Sequence, residues 1–157
     1  VARIEAFTSP DSPRRAAYRG TLASALEGAG DHVEALRIYD GAMVDTDQAS
    51  VIERGPLLVG RARARLSAGD PTGAIADARS LRALELGTSY EVADQVVASF
   101  VTEARARLQQ GGDAAALAVI DEGLAWADGG AHDDAAATLR SLRTELVGAA
   151  PPGGDAL

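Results

Sequence analysis

The sequence predicts an all-α fold: a right-handed α-solenoid of about three helix-turn-helix hairpins, closed by a C-terminal capping helix. Three observations carry this. The stretch Ala62-Arg63-Ala64-Arg65-Leu66 recurs 42 residues later as Ala104-Arg105-Ala106-Arg107-Leu108. Each copy is followed by a Gly-Asp turn (Gly69-Asp70 and Gly112-Asp113) and then by an alanine-aliphatic pair (Ala74-Ile75 and Ala116-Leu117). A weaker copy lies 39 residues upstream, where Ala23 and Ala25 precede Gly30-Asp31 and Ala35-Leu36. A helix, a tight turn and a helix at such a period mark stacked hairpins, each burying its apolar face on the next.

The elements follow in order. Val1, Ile4 and Phe7 keep a helical spacing too short to stand alone. Residues 1–12 therefore read as a leading segment, the remnant of a preceding repeat in a longer protein. Ser12 as N-cap with Pro13 at the first helical position opens the repeat domain, residues 13–148. The first hairpin runs from about Pro13 to Gly28 and from His32 to Val44, its return helix opened by Asp31 and Glu34 as a capping box. A loop from Asp45 to Gln48 ends it.

The second hairpin covers about Ala49–Ala68 and Pro71–Leu86, with Asp70-Pro71 the sharpest boundary in the chain. Gly55-Pro56 falls inside its outgoing helix and marks either a kink or the true start. Thr88 and Glu91 form a capping box for a third outgoing helix, about Ser89–Gln110, whose partner spans about Ala114–Ala127. There Gly111-Gly112 reads as one extra turn residue. A last helix, about His132–Val147, carries Ala135, Leu139, Leu142 and Leu146 on one stripe and covers the open end. Residues 149–157, with Pro151-Pro152-Gly153-Gly154, read as a disordered tail.

Composition narrows the function classes. The core draws on Ala, Leu and Val, since aromatics make up only 4% against 46% hydrophobic residues. All fifteen positive side chains are arginine, which reads as the codon bias of a GC-rich genome. The net charge of −8 argues against nucleic acid as partner, because phosphate binding needs a basic face. From residue 113 onward eight acids face two arginines, which reads as a solvated surface. No cysteine is present, so no disulfide or thiolate chemistry arises, and no apolar run reaches a membrane span.

Leu22-Ala23, Gly30-Asp31, Ala35-Leu36, Tyr39 and Ala42, with their later counterparts, resemble the tetratricopeptide repeats of bacterial proteins. The resemblance covers about residues 14–127 and places small residues such as Ala23 and Ala35 where paired helices touch. It departs in period, in the lack of a closing proline, and in having Arg65 and Arg107 where the first copy has the apolar Leu26. It implies a non-catalytic scaffold that binds proteins or peptides on the concave face lined by outgoing helices. That scaffold would belong to a longer bacterial regulatory or signalling protein in the cytoplasm. The alternative is an ancillary helical domain of a larger enzyme, serving structure or substrate positioning.

One constellation stands out as a candidate ligand site: Arg63, Arg65, Arg105 and Arg107. In register, Arg63 falls beside Arg105 and Arg65 beside Arg107, a set suited to an acidic peptide or a C-terminal carboxylate. The competing reading is a face of ion pairs, for which Glu103 and Arg107 stand at i,i+4. His32 and His132 read as cap or surface residues, and Trp126 as an anchor for the capping helix. Asp133-Asp134 read as first-turn acids that complement the helix dipole, and Asp121-Glu122 lacks the partner acid or histidine at useful spacing that catalysis needs. No cofactor, metal, catalytic residue or membrane contact is implied, and the pattern leaves the oligomeric state open.

Overall fold

The computed structural model describes residues 13–46, 51–86 and 92–149. They form seven helices and no strand: α1 (Pro13–Gly28), α2 (His32–Asp45), α3 (Val51–Ser67), α4 (Pro71–Glu85), α5 (Ala93–Gln109), α6 (Asp113–Gly129) and α7 (Asp133–Ala149). The expected leading segment, and the tail beyond Ala149, lie outside the described residues.

One turn is built four times. After α1, α3, α5 and α6 a single residue takes the left-handed conformation: Gly30 (φ +84°), Gly69 (+80°), Gly111 (+74°) and Ala131 (+55°). The next amide reaches back to a carbonyl near the helix end: Asp31 to Leu26 (2.9 Å), Asp70 to Arg65 (2.8 Å), Gly112 to Arg107 (2.9 Å) and His132 to Ala127 (2.9 Å). This satisfies carbonyls the helix would otherwise orphan. That same residue starts the following helix, its own carbonyl accepting from Ala35, Ala74, Ala116 or Ala136 at 2.9–3.1 Å. All four alanines are buried, so the turn delivers a small side chain to the tight start of each hairpin.

Asp31 and Asp70 add a side-chain cap, accepting from Glu34 N (3.2 Å) and Gly73 N (2.9 Å). Glu34 does not return the bond that a capping box needs; its carboxylate holds Arg37 at 2.6 and 2.8 Å. The third turn corrects the sequence reading. Gly111 is the counterpart of Gly69, and Gly112 is the N-cap in the place of Asp70. Helix, turn and buried alanine therefore keep one offset, with no inserted residue.

The start of α5 also differs from expectation. Thr88 and Glu91 lie outside the described residues, and the helix begins at Ala93 behind an extended Val92 that makes no side-chain cap bond. Pro56 sits inside α3, in its second turn. The carbonyl it leaves without a helical donor belongs to Ile52, an exposed residue near the helix start.

Each helix packs on the next, and α1 with α3, α3 with α5, and α5 with α7 also touch. Among the described residues α2, α4 and α6 do not touch one another. Close approach depends on missing side chains. A Cβ added at Gly20 of α1 would lie 2.8 Å from Leu57 Cδ2 of α3, and one at Gly123 of α6 would lie 2.9 Å from both Phe100 and Leu139.

Two apolar cores result. One joins Ala16, Ala23, Ile38, Tyr39 and Leu57 of α1–α3; the other joins Val96, Phe100, Ile120, Leu139 and Leu142 of α5–α7. Trp126 closes the second, packing on Ala135 and Ala136 of α7 and stacking on His132 with ring centroids 4.8 Å apart. Between the two cores the buried side chains of α4 and α5 include Asp77, Arg82, Glu85 and Glu103. No described helix is long and apolar enough to cross a membrane.

Candidate functional site

The middle of the molecule is held by charge. Asp77 of α4, 3% exposed, accepts from Arg61 of α3 through Nε (2.9 Å) and Nη2 (2.6 Å), a bidentate pair. Arg65, one turn on, reaches the same carboxylate at 3.0 Å and donates to the Gly73 carbonyl at 3.3 Å. Asp40 of α2 takes Arg61 at 3.1 Å.

On the other side of α4 the signs reverse. Glu103 of α5, fully buried, accepts from Arg82 and from Arg79 (3.0 Å) of α4, and from Arg107 (3.0 Å) of its own helix. Arg82 also lies 4.4 Å above the Phe100 ring centre. Burial pushes the Glu103 carboxyl up, but the hydrogen bonds from Arg82 and Arg107, the Arg82 charge and the Arg79 bond outweigh it and hold it below its ordinary value.

These pairs settle where two of the four candidate arginines point: Arg65 and Arg107 are each engaged by a buried acid. Arg63 behaves differently. Half exposed, it donates to Glu27 of α1 at 3.2 Å. Arg105 is exposed, with no ion pair or hydrogen bond among the described residues. The structure thus divides the set instead of gathering it into one cradle.

Arg63 borders an open groove. With a volume of about 1040 Å³, it runs along α1, α3 and the start of α5. Its walls carry Ala17, Gly20, Pro56, Leu57, Val59 and Ala98, with Glu53, Asp94 and Gln95 at one end and Arg63 at the other. The other three candidate arginines do not line it. Tyr39 of α2 reaches it from below, passing Gly60, where an added Cβ would overlap the ring and its hydroxyl. Burial raises the Tyr39 phenol above its ordinary value and the Glu27 charge adds to this, while Arg63 and a hydrogen bond with Ser24 oppose it.

The signal for the groove was present in the repeat register. Ala17, Pro56 and Ala98 occupy one position across the three outgoing helices, as do Ser24, Arg63 and Arg105. The polar end with Glu53, Asp94 and Gln95 was not anticipated, because it is formed by the starts of two separate helices, α3 and α5, which no local motif links. Gln95 Oε1 is buried there without a hydrogen-bond partner. Asp121, set aside as a catalytic acid, pairs with Arg143 at 2.8 Å. Among the described residues no group of three or more histidines and acids is placed to hold a metal.

No protein-family model, curated protein or solved structure matches the chain.

Proposed function

We propose that the chain is a non-catalytic binding module whose partner is a protein or peptide segment lodged between its outgoing helices. In this reading the seven helices are a right-handed α-solenoid of tetratricopeptide-like hairpins, with α7 as the terminal cap. The module serves a longer bacterial regulatory protein in the cytoplasm. Support for the stack comes from the contacts among α1, α3, α5 and α7 and the absence of contacts among the described parts of α2, α4 and α6.

One observation carries the function: the groove follows the outgoing helices of successive hairpins and is walled mainly by small or apolar side chains. Such a surface takes a partner by shape and apolar contact, with a few charges fixing its orientation. A partner that is acidic or ends in a free carboxylate would find Arg63 only by competing with Glu27, and Arg105 beyond the groove's lining.

The test is selection of binders from a displayed library of random peptides, with the whole chain as bait. Ala17, an exposed groove residue, is replaced by Arg in a parallel bait to block the cleft. Selected peptides are expected to lose affinity at least about tenfold on the Ala17→Arg variant, the loss of roughly 1.4 kcal/mol of contact. Binders indifferent to that change, or no binders at all, would reject the reading.

A further inference from the structure

The two ion clusters on α4 differ in charge balance. Around Asp77 two cations, Arg61 and Arg65, meet two acids, Asp77 and Asp40. Around Glu103 three cations, Arg79, Arg82 and Arg107, meet one acid. Among the described residues no second acid pairs with any of the three, so two positive charges stand unbalanced in a chain of net charge −8. The contacts show where that charge reaches solvent. Arg82 is buried, with one nitrogen on Glu103 Oε2, another 3.2 Å from Ser99 Oγ, and its face on Phe100. Arg79 and Arg107 close on the other oxygen, Oε1. Arg79 brings Nε and Nη2 to 3.0 Å, and Arg107 brings them to 3.3 and 3.0 Å. A carboxylate oxygen has about two lone-pair sites, so four nitrogens share what two can fill. Nη1 of each guanidinium has no acceptor among the described residues, and the two side chains are 59% and 26% exposed.

We infer that this cluster is a binding site for a doubly charged oxyanion, a phosphate group either free or on a phosphorylated side chain, bridging Arg79 of α4 and Arg107 of α5. A dianion matches the two unbalanced charges, whereas a carboxylate would leave one. Its several oxygens give each guanidinium an acceptor of its own. The two Nη2 atoms, each 3.0 Å from the same Oε1, lie at most about 6 Å apart, a range at which like charges repel and a shared anion relieves them. Glu103 is not displaced. Fully buried, it holds both forks in place before the ligand arrives, and such preorganisation lowers the cost of binding. Arg82 lies behind it and adds charge without contact. Neither Glu103 nor the three arginines line the groove, so this site stands or falls apart from the peptide-binding reading.

The test titrates the whole, isotopically labelled chain with inorganic phosphate at constant ionic strength and follows the arginine Nε–Hε signals by NMR. The Arg79 and Arg107 signals are expected to shift together and to saturate, and acetate should act at least about tenfold more weakly. Arg79→Gln should weaken phosphate about tenfold, the scale of a charged hydrogen bond. With its side chain 59% exposed, that change should leave the thermal unfolding close to the wild type's. Arg105→Gln removes the same charge two residues from both Glu103 and Arg107, on the other side of α5, and should change the affinity by less than about twofold. A blocked phosphoserine peptide separates the two sources. Binding tighter than that of inorganic phosphate places the ligand on a phosphorylated side chain, and weaker binding identifies the free ion. Three results overturn the inference: no saturable shift, an equal response to acetate, or equal losses from Arg79→Gln and Arg105→Gln.

Discussion

The first and second hairpins are the same backbone filled in opposite ways. Offset by 39 residues, Leu22 of α1 matches Arg61 of α3, Leu26 matches Arg65, and Ile38 of α2 matches Asp77 of α4. Ile38 and Asp77 are each 3% exposed. The turn, its left-handed glycine, its aspartate cap and its buried alanine recur unchanged. What fills the space between the helices is apolar in one hairpin and a bidentate ion pair in the other. The backbone device sets the geometry, and the side chains need only close it without leaving a charge alone. A buried pair and an apolar contact of similar volume are near equals in energy, whereas a broken pair is not.

The largest expected effect lies where three cations meet one acid. Glu103→Gln leaves Arg82, Arg79 and Arg107 around a neutral amide and should destabilise the fold by about 3–5 kcal/mol in urea denaturation. The pH profile sharpens this. The Glu103 carboxyl is held below its ordinary value of 4.5, so its contribution is complete above that value and drains away as pH falls through the lowered one. The wild type should therefore lose more stability than Glu103→Gln when acidified across that range.

The shared turn recurs in the third hairpin and should respond there as it does in the second. Ala74→Leu and Ala116→Leu each place a large side chain at a position with no exposed surface, and each should cost about 1–3 kcal/mol in thermal unfolding. A large difference between them would break the claim that the turn delivers the same contact twice.

The smallest effect is a gain. Ala131 holds the left-handed position that glycine holds in the other three turns. Ala131→Gly should stabilise by about 0.5–1 kcal/mol, the relief of that conformation less the entropy glycine adds to the unfolded chain. Calorimetry showing a lower melting temperature would mean that Ala131 is not strained.

Much of this was legible because it is local. Gly30-Asp31, Gly69-Asp70 and the alanines that follow announce a turn and a tight crossing through backbone preference alone, and the structure has both. The register of the third turn was misread because Gly111-Gly112 offers two glycines, and only the conformation reveals which is left-handed. The arginine set was harder. Arg63 and Arg65 are two residues apart and so on different helix faces. The acids that claim Arg65 come from α4 and α2, at sequence separations that no motif spans. Pairing across helices is a property of the packed stack, and periodicity cannot tell an open guanidinium from one already answered.

The interchangeability of the two fillings is tested most directly by copying the first hairpin into the second. Arg61→Leu and Asp77→Ile are made singly and together, and each is unfolded in urea. Arg61→Leu leaves Asp77 to Arg65 alone, and Asp77→Ile takes the buried acid from both Arg61 and Arg65; each should cost roughly 2–4 kcal/mol, between a charged hydrogen bond and a fully buried pair. In the double variant Arg65 keeps Asp40 and the Gly73 carbonyl. The double variant should return to within about 1 kcal/mol of the wild type, a strong coupling between the sites. A double variant that loses the sum of the two single effects would contradict the account, because the hairpins would then not be one backbone with two fillings.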